Sequence, residues 1–152
     1  MNLQLIRFIL LFAMILATSC FRQIHSDSRL THPYKEHLQN HIWVADQLLG
    51  LDSNTKTYQL SYGDSLPLLN GNITQFTDSL SFRSDYMMWC GNGDFTGVSG
   101  HYNFPDSNII SITVETVTYF GGWKKPTEHR EPKILLYSIS INRDGVLLTK
   151  RE

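Results

Sequence analysis

IISITVETVTYF, residues Ile109 to Phe120, decides the fold: it is the longest β-branched run in the chain and is stopped by Gly121-Gly122. Branched side chains lose little freedom on a pleated surface and are strained in a helix, so the run reads as a strand. Working outward, Lys133 to Ile141 and Val146 to Lys150 alternate apolar with polar residues around Asn142-Arg143-Asp144-Gly145. That is a hairpin signature, a short polar turn with Gly at its left-handed position. Upstream, His101 to Phe104 lies between Gly100 and Pro105, and Tyr86-Met87-Met88-Trp89-Cys90 stops at Gly91-Asn92-Gly93-Asp94. Ser79 to Phe82 sets Leu80 and Phe82 on one face, and Thr57 to Tyr62 alternates until Gly63-Asp64. Strands at this spacing predict an all-β, antiparallel meander that curls into a barrel or sandwich.

Ahead of Gly50 two periods compete. Leu38, Ile42, Ala45 and Leu49 recur as on a helix that Thr31 caps and Pro33 opens, while Trp43 and Ala45 alternate with Ile42 and Val44 as on a strand. The reading that reconciles them is a short helix over Pro33–Gln39, followed by a strand through Trp43.

The first twenty residues are of another kind. Arg7 precedes the apolar run Phe8 to Leu16, and Ala17-Thr18-Ser19-Cys20 follows. A basic head, an apolar stretch and small residues read as a secretory signal. The run is short of the roughly 20 apolar residues that span a bilayer. Leu16 to Cys20 resembles the lipobox of bacterial lipoproteins, with Ala17 standing where Leu is usual. The resemblance implies cleavage before Cys20, lipid on its sulfur and an acylated amine. Each buried methylene adds about 0.8 kcal/mol of membrane affinity, so several chains make a stable anchor. The expected organisation is a signal peptide over 1–19, a lipid-anchored tether over 20–31 and one domain over 32–152. By resemblance to sorting rules, Phe21 after the Cys, with no acidic cluster following, places the chain on the periplasmic face of the outer membrane.

Without residues 1–19 the chain keeps 133 of its 152 residues, and 12 basic against 14 acidic side chains give a formal charge of −2. This balance, with no basic cluster, argues against nucleic acid as a partner. Hydrophobic content of 41% and charged content of 18% are those of one globular core. Of the two cysteines, lipid on Cys20 leaves Cys90 a lone thiol, read as a buried apolar group. A Cys20–Cys90 disulfide is the alternative if Cys20 is not acylated.

A Trp in an early strand (Trp43), Cys90-Gly91-Asn92, Gly100-His101-Tyr102, and Asp106-Ser107-Asn108 before Ile109-Ile110-Ser111-Ile112 together resemble the small bacterial lipocalin-like and META-type β-barrel domains. The pattern covers roughly residues 42–150 and implies a lipocalin-like barrel. Small barrel lipoproteins that inhibit lysozyme carry a Ser-Gly-x-x-Tyr loop. Ser99-Gly100-His101-Tyr102 is one residue short of it.

The residues that could carry chemistry do not assemble into a catalytic set. His37 and His41 stand four apart, a spacing that suits a metal, but no Glu or Cys nearby completes it. Cys90 with His101 as base lacks a positioned partner. Asp85, Asp94 and Asp106 read as turn residues. Gly91 to Gly100 lacks the helix and Lys-Ser/Thr pair of a phosphate loop. Asn72-Ile73-Thr74 fits a glycosylation sequon, and Asp64-Ser65-Leu66 and Asp78-Ser79-Leu80 resemble an O-glycosylation acceptor.

The expectation is therefore a non-catalytic binding module with no cofactor and no metal. Its barrel would take a small apolar ligand among Trp43, Tyr58, Phe82, Trp89, Tyr102 and Tyr119, although aromatics also fill cores. The alternative is an envelope protein-interaction or hydrolase-inhibitor lipoprotein with a filled barrel. Trp123, Lys124 and Lys125, between Gly122 and Pro126, are the candidate partner contacts.

Overall fold

The computed structural model describes residues 32–39, 41–63, 71–88, 93–122 and 125–151. The signal segment, Cys20 and the tether, together with Trp89, Cys90, Trp123, Lys124 and the triplet at Asp64, lie outside the described residues. The described residues are mostly antiparallel strand with one short helix. Helix α1 spans Pro33–Gln39, and the strands are β1 Ile42–Ala45, β2 Thr57–Tyr62, β3 Gly71–Phe76, β4 Ser81–Met87, β5 Asp94–Asp106, β6 Ile109–Gly121, β7 Glu128–His129, β8 Ile134–Asn142 and β9 Gly145–Lys150.

All belong to one sheet. From β1 the neighbours run β2, β9, β8, β6, β5, β4 and β3, and β3 pairs with β1 again, so the order returns on itself. The ring is uneven, because β1 has four residues while β5 and β6 have thirteen each, and two-residue β7 lies along β6. From β3 onward the chain is the expected up-and-down meander. At its start it departs from that order, since β1 sits between β2 and β3. Pro33–Gln39 is helical as the sequence predicts, and Pro at the first helical position suits it, having no N–H to lose there. The closing hairpin also forms as expected, with Asn142 opposite Gly145 and φ of +137° at Gly145.

Three sequence expectations need correction. Gly71–Phe76 is a strand that the sequence did not announce. β5 begins at Asp94, so most of the glycine-rich stretch before His101 is strand. Asp85 lies within β4, between Ser84 and Tyr86, and is no turn residue. β3 was hidden because it turns a hydroxyl inward, and β4, read in the sequence as two pieces at Ser79–Phe82 and Tyr86–Cys90, is one strand whose middle does the same. Thr74 and Ser84 are fully buried, and their hydroxyls bond each other at 2.9 Å.

The ring is packed from both ends. At one end α1 inserts Leu38 and holds its neighbours through polar bonds. Trp43 Nε1 donates to the Leu38 carbonyl at 3.0 Å, and Gln39 Nε2 donates to the Thr77 carbonyl and the Tyr102 hydroxyl, each at 2.8 Å. Towards the other end the β1–β2 connection folds inward and buries Leu48, Leu49 and Gly50. The Leu49 amide donates to Ser84 Oγ and the Gly50 amide to the Tyr58 hydroxyl, both at 3.0 Å. Gly50 has φ of +75°, and a Cβ there would stand 2.5 Å from Val114 Cγ2. Only glycine adopts that conformation freely and fits that gap.

Candidate functional site

The aromatic residues expected to line a ligand cavity are placed as core. Trp43 and Tyr58 are 0% exposed and Phe82 and Tyr102 are 2% exposed. Tyr102 packs edge-on to Phe76 at 5.0 Å, and Tyr58 edge-on to Tyr137 at 5.7 Å. Burial, and then the neighbouring Tyr58, push the Tyr137 hydroxyl well above its ordinary pKa, as a closely packed interior should. Tyr119 packs against this core from its margin. It is partly buried on β6, its hydroxyl donates to Glu128 Oε1 at 2.7 Å, and the Lys125 ammonium lies 5.1 Å above its ring. Of the candidate partner contacts, Lys125 is thus folded back onto the strand.

His37 and His41 do come together, with rings 5.2 Å apart. They pack against Trp43 and Tyr62, and His37 Nε2 lies 3.1 Å from the Tyr62 hydroxyl. His41 Nδ1–H donates to the His37 carbonyl at 2.8 Å. Among the described residues no third His, Cys, Asp or Glu joins them in a metal-binding group. Burial, with a smaller contribution from His41, lowers the pKa of His37. His101 is exposed on β5 and pairs with Glu115 at 3.3 Å.

The open ground lies on the outer face of β4, β5 and β6. Their register sets Asp85, Gly97 and Thr118 in one row and Arg83, Ser99 and Thr116 in the next. Phe95 and Phe120 form the adjoining row, their rings stacked at 5.6 Å. Side chains of one parity share one face, so these eight residues tile the outer surface with a single gap at Gly97. A hollow of about 430 Å³ opens there, lined by Arg83, Asp85, Ser99 and Thr118. Any side chain at residue 97 would collide with Asp85 Oδ1 and touch the Phe120 ring. Past Phe120 a second hollow of about 370 Å³ is lined by Tyr86, Met87, Met88 and Phe95. Phe120 therefore divides a polar hollow from an apolar one.

The polar hollow holds an unusual carboxylate. Asp85 Oδ2 accepts from Arg83 Nε at 2.6 Å, whereas Asp85 Oδ1 is buried and has no hydrogen-bond partner. Leaving such an acceptor unmet costs about 1–3 kcal/mol, and more for a charged group. The sequence showed none of this, because Asp85 reads as a turn residue and Gly97 falls in the glycine-rich stretch Gly91 to Gly100. The alternation of Arg83 and Asp85 with Phe82 and Ser84 is the signal that would have found it.

Comparison with protein-family models, characterised proteins and solved structures gave no match. The lipocalin-like and META-type resemblance rests on its pattern of strands and turns alone.

Proposed function

We propose that the chain is an exported, lipid-anchored, non-catalytic module that binds an envelope protein by taking an apolar side chain of that protein into the hollow at Met87, Met88, Phe95 and Phe120. The observation that carries this reading is where apolar surface is open. The interior is taken up by Trp43, Tyr58, Phe82 and Tyr102, while the outer hollow is apolar, shallow and wide at its rim. Small-molecule sites enclose most of their ligand. A shallow apolar hollow with two methionines suits a protruding side chain, since unbranched thioethers repack around what they meet. One observation favours a second reading, a small apolar ligand: about 370 Å³ lies within the range of ligand pockets.

The test is photo-crosslinking in the native host from a benzophenone amino acid at Met88, with the rest of the chain intact. The expected result is one discrete protein adduct that disappears with Phe120→Ala. No discrete adduct, together with an apolar small molecule released from the purified chain in native mass spectrometry, would transfer the function to the second reading. Metabolic labelling with a fatty acid tests the anchor, and Cys20→Ala should lose the label.

A further inference from the structure

We propose that the polar hollow beside Gly97 is a binding site for a neutral sugar, with two adjacent ring hydroxyls set on Arg83 and Asp85. The argument begins with charge. The lining offers one guanidinium and one carboxylate, already paired at 2.6 Å, and otherwise hydroxyls. A site that is neutral in sum holds no ion of either sign strongly. It does present donors and an acceptor side by side. The Arg83 side chain is 67% exposed and commits only its Nε, while Asp85 Oδ1 has no partner at all. A hydroxyl both donates and accepts, so neighbouring hydroxyls of a sugar are matched by a guanidinium and a carboxylate two residues apart on one strand face.

The setting narrows the class further. Peptides are commonly bound by adding a strand to an open edge. Gly97 has no edge to offer, because its row is paired with Asp85 on one side and Thr118 on the other. Recognition must come from side chains. Ser99 and Thr118 supply hydroxyls along the floor and far wall, and the Phe120 ring at the border supplies apolar surface for the C–H face of a pyranose. A volume of about 430 Å³ is within the range of small-ligand sites. With Asp85 Oδ1 buried, the exposed part of the carboxylate lies on the Oδ2 side, beside Arg83, and a ligand hydroxyl meets it there.

The experiment is a titration of the full ¹⁵N-labelled chain with N,N′,N″-triacetylchitotriose, maltotriose and cellotriose, followed through the amides of Gly97, Ser99 and Thr118. At least one neutral sugar is expected to give saturable shifts at these three amides. Asp85→Asn should weaken it at least about tenfold, equivalent to about 1.4 kcal/mol. Thr118→Tyr fills the hollow from an exposed position and should abolish binding with the melting temperature unchanged. The proposal is overturned if none of the three sugars shifts these amides at millimolar concentration, or if Thr118→Tyr binds as tightly as the parent. Tighter binding of glucuronate or glucosamine than of neutral sugars would also overturn it. Failure here leaves the Met88 crosslink untouched, since the two hollows are read independently.

Discussion

Replacing Gly50 by alanine tests whether the β1–β2 connection is seated inside the ring. Two penalties add. A non-glycine residue at φ of +75° costs about 1–2 kcal/mol. A Cβ placed 2.5 Å from Val114 Cγ2 overpacks the core, which costs about 1–3 kcal/mol. Gly50→Ala should therefore destabilise by about 2–5 kcal/mol in urea unfolding followed by tryptophan fluorescence. For a domain of this size that is a drop of about 8–20 °C in melting temperature. The two penalties separate in a double-mutant cycle with Val114→Ala. Removing the Val114 methyls relieves the collision but leaves the backbone strain, so the pair should cost about 1–3 kcal/mol less than the sum of the single changes. Neighbours in contact couple on that scale, and distant sites add to within about 0.5 kcal/mol. Additivity would refute the placement of this connection against β6.

Ser84→Ala strands both the Leu49 amide and the Thr74 hydroxyl and should cost about 1–3 kcal/mol by the same unfolding measurement. Tyr102→Phe removes the hydroxyl that bridges Gln39 to the Thr77 carbonyl. It should cost about 1 kcal/mol, and amide exchange should rise first in α1. His37 has a lowered pKa in the fold, so the unfolded chain takes up the proton more readily and stability falls as pH drops through the ordinary value of 6.5. Melting curves from pH 8 to 5 should show that slope, and His37→Gln should flatten it; an unchanged slope assigns it to other groups.

The elements legible in the sequence are those whose two faces differ. Ile110, Ile112 and Val114 point inward on β6 while Ser111 and Thr113 face out, and in the closing hairpin Tyr137 and Ile139 on β8 and Val146 and Leu148 on β9 are buried in the same alternating way, Leu148 opposite Ile139. β3 was not legible, and β4 was legible only as two separate pieces, because their inner rows include Thr74 and Ser84, residue types usual on an exposed face. β5 was obscured for the opposite reason. It buries Phe95 and Gly97 on its outer face and Val98, Gly100 and Tyr102 on its inner face, so no alternation survives. The candidate site inherits that difficulty. A glycine and an aspartate in a strand resemble a turn until the register puts one beside the other. The aromatic residues were found correctly as large apolar groups, but composition alone does not say whether a ring fills an interior or lines one.

The pairing of β2 with β9 has a consequence for assembly. Thr57 meets Thr149 and Ser61 meets Gly145, so closing the sheet joins segments more than eighty residues apart along the chain. Loops of that length close slowly, and folding dominated by such pairings is slow. Until β9 docks, β2 and β8 each keep a row of unsatisfied backbone groups exposed, and such edges recruit other chains. Shortening the carboxyl end by one strand should therefore yield a sticky, self-associating product and not a smaller soluble fold. The same dependence keeps the ring open until β9, the last of the described strands, is in place.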